Sequence, residues 1–439
     1  MRDGLEDTVS MQFSGSERHG RRRTRPEDPR HGWHRVKSQR LVCVDGAWSR
    51  FTGRASSFKL RSMADGQLRN GFEQTSAARH KARLAGMNPN YWYPLEWSDR
   101  VAKGDVAETM FWGESIALYR GDDGRVRALE NRCAHRQIKL TMGHVRQCDL
   151  VCVYHGWRYD QGGRLVDMNH DHFGNKLPVI TIRSYPVRER YGLIWGFMGN
   201  PKHAEAVPLP EIEYGDGDNR WAAISFDYTW QAHHYMVMDN LCNLTHLYVH
   251  GRWVPYDETT LTHHSLDGDR LELNWHHTLR RDPGLYPFYK SVFGSSADRE
   301  SSDTHMVYDY PYQRALSNGR IRSCNFMLPE RPDRTRVFSI QFWRAPELPL
   351  VNRPVPRVLM QRVWAPSVRP ITKEIFRQDG ATVEGEQVAV MGEHFDKPMP
   401  EPNPSVRLFE RLTIKRWQAH LDERESGGEP SLCTRVKHL

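Results

Sequence analysis

Between residues 88 and 200 the chain alternates short apolar runs with turn-forming breaks. Val106–Phe111 and Ser115–Tyr119 read as strands, and Gly121-Asp122-Asp123-Gly124 as the turn before a third at Val126–Leu129. Leu150–Tyr154 is β-rich, Asp160-Gln161-Gly162-Gly163 is a second hairpin turn, and Val179–Ile182 and Leu193–Met198 complete the set. Short strands at this spacing predict a small β-sandwich or barrel that begins near Asn88. Residues 201–220, with Pro201, Pro208, Pro210 and Gly215-Asp216-Gly217-Asp218, read as a linker. A mixed region follows. It holds a helical stretch over about 231–250, strands at 270–279, 304–309, 320–327 and 336–343, and a late helix at 371–390. The whole is therefore α+β.

Length fits this two-part reading, since 439 residues exceed one ordinary core. Charge refines it. The net charge of +8 invites a nucleic-acid partner, but its distribution argues against one. Residues 1–86 hold 18 Lys or Arg against 9 Asp or Glu, giving +9; the remainder holds 44 against 45, giving −1. The basicity thus belongs to a tail rich in Arg, Gly, Ser, Pro and His, which reads as a disordered leader, with Met63 and Met87 as alternative starts. Arg21-Arg22-Arg23 is followed by no apolar stretch, and no run of eighteen apolar residues occurs, so neither an export signal nor a membrane span is expected. The expected location is cytoplasmic. Seven cysteines, odd in number and sparse, suggest a reducing compartment in which some thiols bind metal.

Two constellations carry chemistry. Cys133-Ala134-His135 is followed, after a sixteen-residue spacer, by Cys152-Val153-Tyr154-His155. Each half offers one thiolate and one imidazole from the same tight loop, which suits a cluster with one iron held by two Cys and the other by two His. Imidazoles in place of two thiolates raise the potential from about −400 mV to roughly −150 to +300 mV. A structural zinc site pairs like with like, as Cys-x2–4-Cys and His-x3–5-His, and fits less well. Cys148 is read as a packed thiol rather than a ligand. Farther along, His246 and His250 stand at i and i+4, on one face of a helix, where they can share a metal. A facial triad needs one carboxylate more, and the residues alone leave Asp379, Glu374, Glu384 and Glu386 as rivals. His233 and His234 are read as structural.

The run Cys133-Ala134-His135-Arg136 … Gly143 … Cys152-Val153-Tyr154-His155-Gly156-Trp157 … Gly163 resembles the Rieske domain of ring-hydroxylating and O-demethylating oxygenases, with Val153 where Pro is usual. The stretch around Phe376 and Asp379 resembles the late helix of the phthalate-type members of that family. The resemblance implies an N-terminal Rieske [2Fe-2S] β-domain at 87–205, a helix-grip catalytic domain at 206–425, the basic leader at 1–86 and a tail at 426–439. It implies that Cys133, His135, Cys152 and His155 hold the cluster and that His246, His250 and Asp379 hold Fe(II). It further implies O2 as co-substrate, NAD(P)H electrons from a separate reductase or ferredoxin, a head-to-tail homotrimer, and hydroxylation, dihydroxylation or O-demethylation of an aromatic small molecule. An Arg near the pocket, with Arg280 and Arg281 as candidates, would favour an acidic substrate. Two departures stand out. Three residues separate the histidines where four are common, and Asn243 replaces the Asp that bridges cluster and iron between subunits. Asn accepts hydrogen bonds but supplies no charge, and Asp239 is the nearest substitute. The alternatives are an electron-transfer protein with a non-catalytic second domain and a zinc-stabilised binding module.

Overall fold

The computed structural model describes residues 43–44, 47–48, 71–168, 177–212, 221–254, 256–279, 301–345, 347–348, 353–391 and 401–426. A two-rung antiparallel pair, Cys43–Val44 with Ala47–Trp48, belongs to a separate N-terminal unit. Residues 71–74 and helix α1 (Ala78–Leu84) fall within the stretch that composition marks as a leader, yet they are helical. The reason is local. Phe72, Ala82 and Ala85 are fully buried, and an average over the basic tail hides these few apolar positions.

The smaller domain is built from eleven strands in three antiparallel sheets. They are β1 (Trp92–Trp97), β2 (Val106–Phe111), β3 (Glu114–Arg120), β4 (Val126–Glu130), β5 (His144–Arg146), β6 (Asp149–Val151), β7 (Arg158–Tyr159), β8 (Leu165–Asp167), β9 (Ser184–Tyr185), β10 (Val187–Arg190) and β11 (Leu193–Phe197). The orders are β9-β4-β3-β2, β10-β11-β1 and β8-β7-β6-β5. The strand expected over Leu150–Tyr154 ends at Val151, because Cys152 opens a turn closed by the Gly156 N–H donating to its carbonyl. Val179–Ile182 supplies only an isolated bridge, Arg164 to Thr181.

The larger domain is one seven-stranded antiparallel sheet with helices on one face. Its strands are β12 (Trp221–Trp230), β13 (Tyr256–Asp267), β14 (Arg270–Leu279), β15 (Ser301–Asp309), β16 (Tyr312–Ser317), β17 (Ile321–Arg331) and β18 (Arg334–Arg344), in the order β12-β18-β17-β16-β15-β14-β13. The helices are α2 (His234–Cys242), α3 (Leu247–His250), α4 (Ala365–Met391) and α5 (Pro404–Glu425). Alternation assigns the two faces. Phe226 and Tyr228 meet Phe376 of α4, and Tyr308 meets Phe409 of α5. On the opposite face Phe326 and Tyr312 pack against Trp195, and Phe338 against Trp97, all of the smaller domain. Fully burying one such ring is worth about 1.5–3 kcal/mol. Polar contacts fix the register between domains. Arg336 binds Glu96 and Asp227, each at 2.8 Å, while Arg100 and the Trp97 indole N–H also reach Asp227, at 2.7 and 2.9 Å. Burial alone would raise the Asp227 pKa, but these donors hold it below the ordinary carboxylate value.

Candidate metal centres

The helix expected over 231–250 is broken. Asn243 is the C-terminal cap of α2, and its side-chain oxygen accepts from the Thr245 amide (3.1 Å), the Thr245 hydroxyl (2.7 Å) and the Asn403 amide (3.0 Å). This local turn competes with helix continuation, so α3 starts afresh with His246 as its N-cap. His246 and His250 therefore do not share an uninterrupted helix, but their rings still converge, with centroids 5.3 Å apart.

Asp379 arrives from α4. Its Oδ1 lies 3.3 Å from His246 Nε2 and 3.1 Å from His250 Nε2, and one ligand atom from each of the three residues lies within 4.8 Å of the others. The other three carboxylates are engaged elsewhere: Glu374 with Arg377 and Gln378, Glu384 with the Gln231 amide, Glu386 with Arg83. Gly380, next to Asp379, makes this approach feasible, since a Cβ there would lie 2.3 Å from Trp230 Nε1.

The donor set fits a metal ion. Gln378 donates its amide N–H to Glu374 at 3.1 Å, which turns its carbonyl oxygen toward His250 Nδ1 at 3.2 Å. His250 Nδ1 therefore carries the proton, and Nε2 presents a lone pair to the site. Asp379 Oδ1 is buried and, among the described residues, faces only the two imidazoles. Two imidazole nitrogens and a carboxylate face one point, and cis ligands bonded at about 2.1 Å to one metal stand about 3 Å apart. Burial opposes charge on both Asp379 and His250. The proximity of both imidazoles outweighs it at Asp379, lowering the carboxyl pKa, and the proximity of Asp379 outweighs it at His250, raising the imidazole pKa.

In the smaller domain the two motif halves sit in matched turns. Gln137 N–H donates to the Cys133 carbonyl at 2.9 Å and Gly156 N–H to the Cys152 carbonyl at 3.1 Å. Both thiols are buried, and Cys152 feels Cys133 closely enough for its pKa to rise, with burial the larger cause. The His135 and His155 rings are 4.6 Å apart, and Trp157 stacks on His135 at 4.7 Å. The loops can approach because residue 143 is glycine, whose Cβ would strike the Val151 carbonyl at 1.9 Å. Facing thiols with facing imidazoles suit a two-iron cluster rather than one zinc. Tyr159, which sequence reasoning passed over, places its hydroxyl 3.3 Å from Cys133 Sγ while accepting from the Ala134 amide at 3.0 Å. Cys148 stands apart, with its carbonyl bonded to Tyr119. His233 and His234 are buried, one accepting from the Tyr235 amide and the other bonded to the Ala85 carbonyl; burial lowers both pKa values, so both stay neutral. Arg280 and Arg281 lie outside the described residues.

Residues 91–186 match the Rieske [2Fe-2S] domain, and residues 230–407 match the vanillate O-demethylase oxygenase C-terminal domain. The chain is 33% identical to the 4beta-methylsterol monooxygenase of Methylococcus capsulatus over 353 residues, which is 80% of this chain and 94% of that protein. This chain belongs to the Rieske non-haem iron oxygenases. Other Rieske oxygenases match over shorter stretches; a vanillate O-demethylase oxygenase subunit of a Pseudomonas species is 34% identical over 37% of this chain and 44% of its own length. The fold is that of dicamba monooxygenase, with a TM-score of 0.61 at 18% identity, covering 78% of this chain and 100% of the other. As a Rieske oxygenase component the protein uses a [2Fe-2S] cluster, mononuclear iron and a reductase partner to oxygenate a small molecule. A non-catalytic electron-transfer role is not favoured. No helix among the described residues is long and apolar enough to cross a membrane.

Proposed function

We propose that Cys133, His135, Cys152 and His155 hold the cluster, that His246, His250 and Asp379 hold the iron, and that the substrate is an aromatic or other largely apolar ring compound hydroxylated or demethylated at this iron. The convergence of His246 Nε2, His250 Nε2 and Asp379 Oδ1 carries the reading. When bound, the two metal groups supply electron storage and O2 activation. The protein's part is positional. Gln378 holds His250 in the ligating tautomer, and α4 keeps Asp379 buried so that water does not compete for its charge. Tyr228, Phe226 and Phe376 form an aromatic wall beside the carboxylate. The names of the relatives support this substrate class, since they include a methylsterol and vanillate.

The working assembly is a head-to-tail homotrimer in the cytoplasm, with one subunit's cluster loops against the next subunit's iron helices. Exposed apolar side chains favour it. Met142, Val153 and Tyr154 beside the cluster motif are 59%, 53% and 54% exposed, and Tyr248, between the two iron histidines, is 100% exposed. Asn243 occupies the bridging position between the centres, where it offers hydrogen bonds but no charge. Asp239 does not replace it, being buried among Arg79, Glu386, Glu401 and Glu410.

The test is metal content after anaerobic, iron-replete expression. Wild type should carry about three irons per two acid-labile sulfides. His246→Ala and Asp379→Ala should each carry about two while keeping the reduced cluster EPR signal. Unchanged iron in both variants would refute the ligand assignment, and zinc without sulfide would refute the whole reading.

A further inference from the structure

The helix-facing side of the large sheet carries buried polar groups that its packing does not use. Residues directly opposite in antiparallel strands share a face, so rows can be followed across the sheet. One row runs Tyr308–Gln313–Asn325–Ser339–Phe226, from β15 to β12. Its ends touch the helix layer, Tyr308 at Phe409 of α5 and Phe226 at Phe376 of α4. Gln313, Asn325 and Ser339 between them therefore face the same layer. All three are buried. The Asn325 amide donates to Gln313 Oε1 at 2.6 Å, which leaves Asn325 Oδ1 with no partner among the described residues. Ser339 Oγ has none either, nor has the hydroxyl of Tyr228, diagonal to Ser339 on β12. The Tyr228 ring stacks on Phe376, three residues before Asp379, and the Asp379 charge is among the causes that push its phenol pKa up, after burial. Three unpartnered polar atoms thus form a strip that starts beside the iron carboxylate and crosses two strand spacings, about 10 Å.

Among the described residues, the rows of this face beside the strip carry no fixed charge. The next rows, Met306–Ala315–Ser323–Gln341–Ile224 and Thr304–Ser317–Ile321–Trp343–Ala222, contain no Lys, Arg, Asp or Glu, and neither does the first. The arginines of these strands alternate to the other side, where Arg314 and Arg322 join Arg270 and His305 around a separate cavity of about 200 Å³. A carboxylate held on the strip, away from the iron, would lose its hydration with no cation on these rows to replace it. An uncharged hydroxyl would lose little and gain a partner at whichever end of the strip it meets.

Building on the iron-site reading, we propose that Tyr228, Ser339 and Asn325 are specificity-determining residues that hold the substrate by an uncharged hydroxyl or carbonyl group, so that the enzyme takes neutral alcohols and ketones in preference to carboxylates. At one end of the strip the Tyr228 and Ser339 hydroxyls donate to a hydroxyl or carbonyl oxygen of the substrate, and at the other Asn325 Oδ1 accepts from a substrate hydroxyl.

The experiment is calorimetric titration of holoprotein whose iron and sulfide have been quantified. The probes are two matched pairs: 4-methoxybenzyl alcohol with 4-methoxybenzoate, and a 4-methylsterol with its hemisuccinate. In at least one pair the alcohol should bind about tenfold or more tightly than the acid, and at least one of Tyr228→Phe, Ser339→Ala and Asn325→Leu should weaken that alcohol about tenfold with the cluster spectrum unchanged. Three variants are used because Asn325→Leu alone could fail by misfolding, whereas the other two only remove an oxygen. Tighter or equal binding of the acids, an alcohol affinity unmoved in all folded variants, or iron-loaded protein that binds neither alcohol would overturn the proposal. Protein lacking mononuclear iron would instead condemn the ligand assignment beneath it.

Discussion

The approach of α4 to β12 can be tested with two glycines on one helix. At Gly380 an added Cβ would lie 2.3 Å from Trp230 Nε1, 2.5 Å from Cδ1 and 3.0 Å from Cε2; at Gly385 it would meet nothing within 4 Å. Carbon contacts settle near 3.5 Å, so Gly380→Ala must part helix from ring by about 1 Å. The ring has little room to give way. Trp230 is 4% exposed and lies 4.8 Å from the Tyr228 ring. Alanine favours a helix over glycine by about 1 kcal/mol, whereas overpacking costs about 1–3 kcal/mol, so strain prevails at 380 and propensity at 385. The displacement acts on the neighbouring Asp379, whose contacts with the histidines are only 3.1–3.3 Å long. Loss of supporting geometry lowers metal affinity about 10–100-fold. Gly380→Ala should therefore lose mononuclear iron on dialysis while keeping two irons per two sulfides in the cluster, as read by metal and sulfide assay. Gly385→Ala should keep all its iron and gain stability of up to about 1 kcal/mol in denaturant melts. Full iron retention by Gly380→Ala, or equal iron loss by both variants, would refute the reasoning.

Three other expectations follow from single contacts. Tyr159→Phe removes the hydroxyl beside Cys133 Sγ; at about 1 kcal/mol per net hydrogen bond and 59 mV per 1.4 kcal/mol, the cluster potential should fall by about 40 mV in an EPR-monitored titration. Asp239, facing Arg79 from α1, Glu386 from α4, Glu401 just before α5, Glu410 on α5 and Tyr235 on its own helix, has its carboxyl pushed up to about 8, chiefly by burial. The folded protein thus binds the proton more tightly than the unfolded chain, and this stabilisation is lost as pH rises from about 4 through 8, so the melting temperature of Asp239→Asn should gain on wild type over that range. Asn243→Asp keeps an acceptor for Thr245 and Asn403, so it should fold, retain iron and speed single-turnover electron transfer; a loss of iron or of rate would mean that the neutral amide is required.

How much of this was legible in the sequence depends on the range of the interactions. The Cys133/His135 and Cys152/His155 halves each lie in one tight turn, and the spacing of ligands within a turn survives any error in strand assignment. Val106–Phe111 and Leu193–Phe197 were equally readable, being short and bounded by turns. Tyr312–Ser317 was not, because its helix-facing positions are Gln313, Ala315 and Ser317, while Tyr312 on the other side meets the other domain. Gln313 and Ser317 weaken the alternation by which a strand is recognised. Helix α5 escaped notice for a similar reason, since its buried positions include Glu410, Thr413 and His420.

The carboxylate of the iron site marks the limit more sharply. Glu374, Glu384 and Glu386 share a helix with Asp379, and composition ranks none above the others. What separates them is partner choice across the fold. Arg83 of α1 takes Glu386, the Gln231 amide takes Glu384, and Arg377 with Gln378 takes Glu374. Arg83 comes from the segment whose basic composition reads as a tail, so the end of α4 is anchored by residues that the sequence appeared to assign outside the fold. Asp379 remains as the acid beside a glycine, on the turn that meets Trp230 and the histidines. A binding carboxylate is thus distinguished by having no cation or amide of its own, a property of three-dimensional partnering that spacing along the chain cannot express.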